Sequence, residues 1–463
     1  MNIMRFIDRE TELKELRTLE ELSQKKLFVI ALYGLRRVGK TRLLLEFLKE
    51  QGLYFFVNKN KTSKDLLLEF QEILKTNKVL GELETLVSWD KFFEVTTTRN
   101  LPPIVFDEFQ NFIDVQPSVF GILQKNIDLH ENEPGLIIFA GSLIGLIKKL
   151  FQQSKEPLYG RIKRGYKINP LNLSSCFEIG KELNIKKEEL LKLYFLFGGY
   201  PKYYTAIEDF DLKSKTAWEI INSLFLCNGA PLEEEVNMIL SQEFGGRSGI
   251  YYSILESVAT GNNNLSAIGG YLNIPATSIT RQMNELKNHF ELIEVEMPFS
   301  GKRGIYVIKH PLLEFWFSQI YKNFSEYTSR NPVFINKIKE NLNSFYERAF
   351  ERVAKEFLVS KLNLSKARRQ WGKIPSEGKG KNEYEIDLIG TNKETTYIFE
   401  FKWADLNHTE ATKILDSLYA KSKYVQGLSK RQHFGIVAKN IAEKDQLRAA
   451  NYLAYDLEDL STQ

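Results

Sequence analysis

The sequence predicts an α/β protein built from more than one domain. A helix-covered parallel sheet comes first, helical and helix–hairpin segments follow, and a second, smaller α/β unit closes the chain. Three observations carry this prediction. Short, β-branched apolar runs alternate with helical patterns through the first 170 residues, the signature of strands linked by crossover helices. A glycine-rich loop stands between the first of these runs and a helix. After about residue 340 the pattern returns to strands, with acids set into otherwise apolar alternation.

In chain order, Glu10 to Leu22 reads as an amphipathic helix with Leu13, Leu16 and Leu19 on one face. Leu27 to Leu32 is continuously apolar, as a strand covered on both faces must be. Similar runs follow at Leu53 to Val57, Ile104 to Phe106 and Leu136 to Ala140, with helices between them at Thr41 to Glu50 and Lys64 to Thr76. From about 180 to 245 the pattern is helical, interrupted at Phe197-Gly198-Gly199-Tyr200-Pro201. Residues 249–310 hold three short helices and a hairpin that turns at Ser300 to Arg303 and returns along Gly304 to Ile308. A helix from Phe345 to Leu358 opens the last unit, with strands near Glu385–Ile389, Thr396–Phe401 and Phe434–Val437.

Composition narrows the function classes. The 463 residues are 43% hydrophobic and 26% charged, which suits several domains with ample cores and excludes a disordered chain, a collagen or a coiled-coil rod. Lys and Arg number 63 against 59 acids, a net charge of +4, too balanced to mark a nucleic-acid binder by bulk charge. Two cysteines, Cys176 and Cys227, and five scattered histidines give neither a disulfide framework nor a zinc cluster. No apolar run approaches the ~20 residues of a membrane span. The segment Met1 to Asp8 lacks the apolar core of a signal peptide, so a cytoplasmic location without membrane contact is expected.

Gly34-Leu35-Arg36-Arg37-Val38-Gly39-Lys40-Thr41 fits G-x-x-x-x-G-K-[ST] and sits after a buried strand and before a helix. Glycines let backbone N–H groups wrap phosphates, and the helix start adds its positive end. Lys40 is expected on the β- and γ-phosphates and Thr41 on Mg²⁺, with the nucleotide contacts running from Gly34 to Arg42. Pro103-Ile104-Val105-Phe106-Asp107-Glu108 is an apolar strand ending in two acids. Asp107 would hold Mg²⁺, and Glu108 would orient or deprotonate the attacking water. Ser142, at the end of a third strand, either senses the γ-phosphate or caps a helix. Arg161 either neutralises transition-state charge, in cis or on a neighbouring subunit, or is a plain surface arginine.

Phe6-Ile7-Asp8-Arg9-Glu10 with Glu12-Leu13, the Gly34–Thr41 loop with its internal Arg36-Arg37, Asp107-Glu108-Phe109-Gln110, Pro157 to Arg161 and Gly198-Gly199-Tyr200-Pro201 together resemble the archaeal-type prokaryotic ATPase family. That family is a branch of the AAA+/STAND P-loop ATPases, and the resemblance spans nearly the whole chain. It implies ATP and Mg²⁺ as cofactors, Phe6 to Glu10 near the adenine, and a P-loop AAA+ core at 1–170. A helical lid at 171–245, a winged helix at 246–325 and a C-terminal α/β domain at 335–463 would follow it. Gly141-Ser142-Leu143 departs from the pattern, which has a second small polar residue here.

Leu265 to Leu272 and Thr277 to Phe290, joined by Asn273 to Ala276, outline a helix-turn-helix that the hairpin completes as a winged helix. Thr277, Ser278, Thr280, Arg281, Gln282 and Lys287 can touch phosphates or base edges, and Lys302 and Arg303 can reach the backbone beside them. Protein contact is the other reading, and Glu285, Glu291, Glu294 and Glu296 favour it.

In the last unit, a turn centred between Lys393 and Glu394 would set Asp387 opposite Glu400, with Lys402 on the face of Glu400. Two carboxylates and an ammonium at one spot suit a Mg²⁺-dependent phosphodiesterase, and Glu351, with Glu347 second to it, would complete the metal set. The pattern resembles the PD-(D/E)xK nuclease fold. The basic stretch 361–382 would then be a DNA-backbone track. A solvated hairpin or a binding remnant is the competing reading.

The expected function is an ATPase, possibly oligomeric or partner-bound, that couples nucleotide hydrolysis to DNA binding and metal-dependent DNA cleavage. The alternatives are a nucleotide-controlled scaffold with an inert tail and a transcription regulator.

Overall fold

A computed structural model describes residues 6–49, 51–245, 248–374 and 383–461. Residues 1–5 and the 375–382 part of the basic stretch lie outside the described residues. The chain divides into two compact units. The first is Met1–Leu171 with Gly199–Thr205 and Asn284–Glu291. The second is Asn172–Gly198, Ala206–Met283 and Leu292–Gln463.

In the first unit α1 (Glu10–Ser23) precedes β1 (Leu27–Tyr33), and α2 (Lys40–Phe47) follows the loop. With β2 (Leu53–Phe56), β3 (Ile104–Asp107), β4 (Gly135–Gly141) and β5 (Arg164–Lys167), β1 forms a five-stranded sheet in the order β2-β3-β4-β1-β5. Every pairing in it is parallel. Strands covered on both faces explain the continuous apolar runs. Only β5 departs from that pattern: Arg164-Gly165-Tyr166-Lys167 is polar and occupies an edge, fixed by Lys163 N–H to Val29 O and Ile168 N–H to Tyr33 O, each 2.7 Å.

The core beneath β2, β3 and β4 is aromatic. Phe106 is fully buried and packs with Phe55 (ring centroids 5.2 Å apart), Phe93 (5.8 Å) and Phe139 (5.7 Å). The strand it belongs to ends at Asp107, so this packing fixes the height of the carboxylate above the sheet.

In the second unit the helices Leu173–Glu182 and Lys187–Phe197 precede the helices Ser248–Ala259 and Leu265–Leu272. A hairpin follows, of β6 (Ile293–Glu296) and β7 (Ile305–Ile308), paired antiparallel. The helix Pro332–Lys361 runs 30 residues, well beyond the expected Phe345–Leu358. It leads into a mixed sheet of β8 (Lys366–Lys373), β9 (Glu383–Asn392), β10 (Thr395–Leu406), β11 (Arg431–Ile441) and β12 (Leu453–Tyr455), in sequence order across the sheet. The stretch read as a basic track is thus in part an edge strand, β8, antiparallel to β9. Phe195 of the helix Lys187–Phe197 packs on Tyr346 and Phe350 of the long helix and on Trp403 of β10, its ring centroid 5.1 Å from that of Trp403.

Truncating Phe106 removes a ring in contact with five others and leaves a cavity that close-packed strands cannot fill. Phe106→Ala is expected to destabilise the first unit by roughly 3–5 kcal/mol, read as a lowered thermal transition, and to weaken nucleotide binding with it.

Candidate nucleotide site and C-terminal carboxylate site

Parallel strands all run out on one edge of the sheet, and the first site gathers where β1, β3 and β4 end. The register pairs Tyr33 with Gly141 and Phe56 with Asp107. Gly34 lies against the Ile168 carbonyl, where an added Cβ would come within 2.3 Å of the oxygen; no larger residue fits. Gly39 has φ 91° and Arg37 φ 70°. Left-handed residues in such a loop turn successive N–H groups to one side and make an anion-binding concavity. Lys40 begins α2 and is buried, its Nζ donating to Gly34 O (2.8 Å) and Leu35 O (3.0 Å). Leu35, Arg36 and Arg37 are half-buried, Val38 is buried, and Thr41 and Arg42 are exposed at the helix start.

Asp107 is only 2% exposed, and a buried carboxylate needs donors. It has three: Thr41 Oγ1 at 2.7 Å and the Tyr54 hydroxyl at 2.8 Å on Oδ2, and the Glu108 N–H at 2.9 Å on Oδ1. Burial, and then the charge of Asp107, push the Tyr54 hydroxyl well above the usual phenol range. Glu108 has left-handed backbone, φ 52°. Its Oε2 accepts from Ser142 Oγ at 2.9 Å and from Gln110 Nε2. Ser142 therefore serves the second acid, while the helix Ile144–Gln152 begins without a side-chain cap.

Arg161 takes another place. Its guanidinium pairs bidentately with Asp128, at 2.9 and 2.8 Å, and donates to Tyr159 O. None of these bonds reaches the loop. In the N-terminal segment it is Arg9 that touches the loop: its Nη2 donates to Val38 O at 3.1 Å and to Asn169 O at 2.8 Å. Tyr54 belongs to no spacing motif and Gln110, though within the Asp107–Gln110 run, has no role there; the neighbouring strand ends reveal both.

The second site is built on the β9–β10 hairpin. Thr395 pairs with Asn392 and Phe399 with Leu388, so the two-residue turn is at Lys393 and Glu394 and the register runs on to Glu400 opposite Asp387. Asp387 Oδ2 accepts from the Phe401 N–H at 2.7 Å. Glu400 Oε1 accepts from Lys402 Nζ at 3.0 Å and from Lys421 Nζ at 3.2 Å. Lys421, on the helix His408–Ser422, was not legible in the sequence, because it meets Glu400 only through the packing of that helix on the sheet. Burial and the neighbouring Glu400 raise Asp387 to about 6. Burial opposes the Lys402 ammonium, but Glu400 and Asp387 outweigh it and hold Lys402 above the usual lysine range.

Glu351, the expected third metal ligand, stands 3.6 Å from Arg369, which also pairs with Glu385, and is close enough to Asp387 and Lys402 to feel their charges. Arg369, on β8, thus stands between Glu351 of the long helix and Glu385 of β9. Among the described residues no group of three or more His, Cys, Asp or Glu side chains converges as a metal site. Asp387 and Glu400 remain as two hard oxygen donors. In the first site Thr41 Oγ1 and Asp107 Oδ2 converge, the donor chemistry that Mg²⁺ takes.

Burial raises Glu351 from 4.5 to about 7, with Asp387 and Glu385 pushing the same way and Arg369 and Lys402 opposing. From pH 4.5 to 7 the unfolded chain has then lost this proton while the folded one keeps it, so stability falls across that window and levels off above it. In metal-free buffer Glu351→Gln is expected to melt a few degrees higher than wild type at pH 8 and level with it at pH 4.5.

Known proteins share these features. The family model described as an ATPase domain predominantly from Archaea matches residues 6–207. A second, described as archaeal and bacterial proteins of unknown function, matches residues 316–414. An uncharacterised protein of Methanocaldococcus jannaschii is 30% identical over 465 residues, covering 98% of this chain and all of the relative. An uncharacterised ATP-binding protein of Pyrococcus horikoshii is 26% identical over 238 residues, 43% of this chain and 73% of that one. The Walker-type ATPase of Pyrococcus abyssi superposes with a TM-score of 0.52 at 22% identity, over 67% of this chain and 96% of that one, a likeness of fold. No helix among the described residues is long and apolar enough to cross a membrane. With its loop, its paired acids and a full-length relative in agreement, the chain belongs to the archaeal-type family of P-loop ATPases.

Proposed function

We propose that the protein hydrolyses ATP at the first site and applies the resulting motion to DNA, which its second unit binds and cuts. The observation that carries this reading is the meeting of Lys40, Thr41 and Asp107 at the strand ends, with Glu108 next to them. Lys40 leaves the Gly34 and Leu35 carbonyls for the β- and γ-phosphates. Thr41 and Asp107 hold Mg²⁺, which when bound neutralises charge on the phosphates. Glu108, positioned by Ser142 and Gln110, aligns the attacking water. Arg161 contributes only if it first leaves Asp128.

The DNA half of the reading is supported by the second site. Asp387 and Glu400 would hold a divalent cation, whose chemistry is that of a Lewis acid on a phosphodiester. Lys402, on the same face, stabilises charge on the departing oxygen. A winged helix at 246–325 would add Thr277, Thr280, Arg281 and Lys287 as phosphate or base contacts, all of them exposed. The two ammoniums already on Glu400 favour one other reading: a nucleotide-controlled scaffold whose tail binds without cutting.

Lys40→Ala is expected to lower ATP turnover about 100-fold or more, and Glu108→Gln by about 10²–10⁴ with nucleotide binding retained. Phosphate release and fluorescent-nucleotide binding read the two effects. Wild-type turnover in Lys40→Ala overturns the site. On plasmid and single-stranded DNA with Mg²⁺ or Mn²⁺, cleavage by the wild type that is lost in Glu400→Ala identifies a nuclease. No cleavage under any condition, with or without ATP, selects the scaffold.

A further inference from the structure

We propose that the β6–β7 loop is fastened to the second sheet, and that its tip and the outer edge strand form one phosphate-binding ledge for double-stranded DNA beside Asp387 and Glu400. This deepens the DNA reading above and rests on it.

The loop sequence is Pro298-Phe299-Ser300-Gly301-Lys302-Arg303-Gly304. At a free hairpin tip a phenylalanine would meet water. Here Phe299 is 8% exposed and packs in one apolar cluster with Ile386, Ile389, Ile398 and Leu418. Ile386 and Ile389 flank Asp387 along β9, so the loop is anchored in the side-chain layer next to that carboxylate. The backbone is tied as well. Phe299 N–H donates to Arg369 O at 2.8 Å, and Ser300 N–H to Gln370 Oε1 at 2.7 Å. Lys366 Nζ donates to Phe299 O at 2.9 Å and stands 4.0 Å from the centroid of its ring. All three partners belong to β8. An unpaired strand edge is a template for foreign chains, and this loop covers part of it.

The anchored loop leaves its charges outward. Lys302 and Arg303 are exposed and Arg368 of β8 is half-exposed; none of the three makes an ion pair or hydrogen bond among the described residues. The acids near them are already matched: Glu385 pairs with Arg369, and Glu296 with Lys355 at 3.0 Å. What faces solvent is therefore positive. Single strands are held by exposed rings on which bases stack, but the loop's own ring is spent in the core. Trp371 of β8 is half-buried and no ring stands at the loop tip, so its exposed cations suit phosphates of a duplex, which fix position and carry no base readout. The tip is two or three residues from its anchor, too short a tether for an independent reader. A duplex on the ledge is thus held in register with the acids.

The test is duplex binding by the full-length chain, followed by fluorescence anisotropy with a labelled duplex and its single strand, in EDTA and across a salt series. Lys302→Ala with Arg303→Ala is expected to weaken duplex binding and to lower the salt slope by about 1.8, two phosphate contacts' worth. Phe299→Ala, which keeps every cation, is expected to weaken it as well. Should Phe299→Ala fail to fold, Gln370→Leu, which removes only the acceptor of Ser300 N–H, takes its place with the same expectation. Unchanged duplex affinity in the double variant overturns the ledge. So does unchanged affinity in a folded anchor variant, or a single strand bound as tightly as the duplex. Loss on Arg281→Ala alone keeps the DNA reading and overturns the ledge. Binding is read in EDTA, where no cation-dependent cleavage takes place, so a failure of the cleavage reading leaves this result standing.

Discussion

A carboxylate buried at the end of a parallel strand is the constraint on which the first site depends. Asp107 is out of water and must be satisfied by donors from its surroundings. Those donors come from three places: Thr41 at the start of α2, Tyr54 on β2 and the next peptide of its own chain. Meeting that demand locks the helix after the loop, the neighbouring strand and the acid pair into one arrangement. The remaining fixtures serve the same end. Gly34 can abut Ile168 because it lacks a side chain, and Arg9 holds the loop from behind through Val38.

Much of this was legible because a few rules act alone. Strands β1, β3 and β4 are covered on both faces, so their apolar runs have no other good interpretation. The turn between β9 and β10 has two residues, and in so short a turn the register follows by counting, which is why Asp387 and Glu400 could be set opposite each other from sequence. β5 was missed because Arg164-Gly165-Tyr166-Lys167 has no strand pattern; the open edge of β1 makes it a strand. β8 was read as a basic track because four of its eight residues are Lys or Arg. Sequence shows their charge, and only the sheet shows that Lys366 and Arg369 are already engaged. Side-chain partners such as Ser142 on Glu108 and Lys421 on Glu400 depend on how separate elements pack, which no spacing encodes.

The two carboxylates of the second site have been given different surroundings. Glu400 sits between two ammoniums, while Asp387 has one backbone N–H and is pushed to about 6 by burial and by Glu400 itself. Paired acids whose environments separate them are arranged for different tasks. Here the difference lies in the partners: two ammoniums on Glu400, a single backbone N–H on Asp387.

The link between nucleotide and tail runs along the peptide chain. Gly199–Thr205 belongs to the first unit, where the Pro201 ring stands in ordinary contact distance of the Cβ position of Gly39. The helix Lys187–Phe197 just before it belongs to the second unit, where Phe195 packs edge-on against Trp403. Trp403 follows Lys402 directly in β10. Gly198, with φ 55°, ends the helix between the two contacts. One short stretch of sequence thus holds a contact within each unit. It comprises a proline against the loop glycine, a helix end, and a ring against the residue beside the lysine. Gly198, with its positive φ, is where the chain passes from the close-packed aromatic contact of the second unit to the segment beside the phosphate loop of the first, and glycine adopts that backbone without the strain a side chain would add.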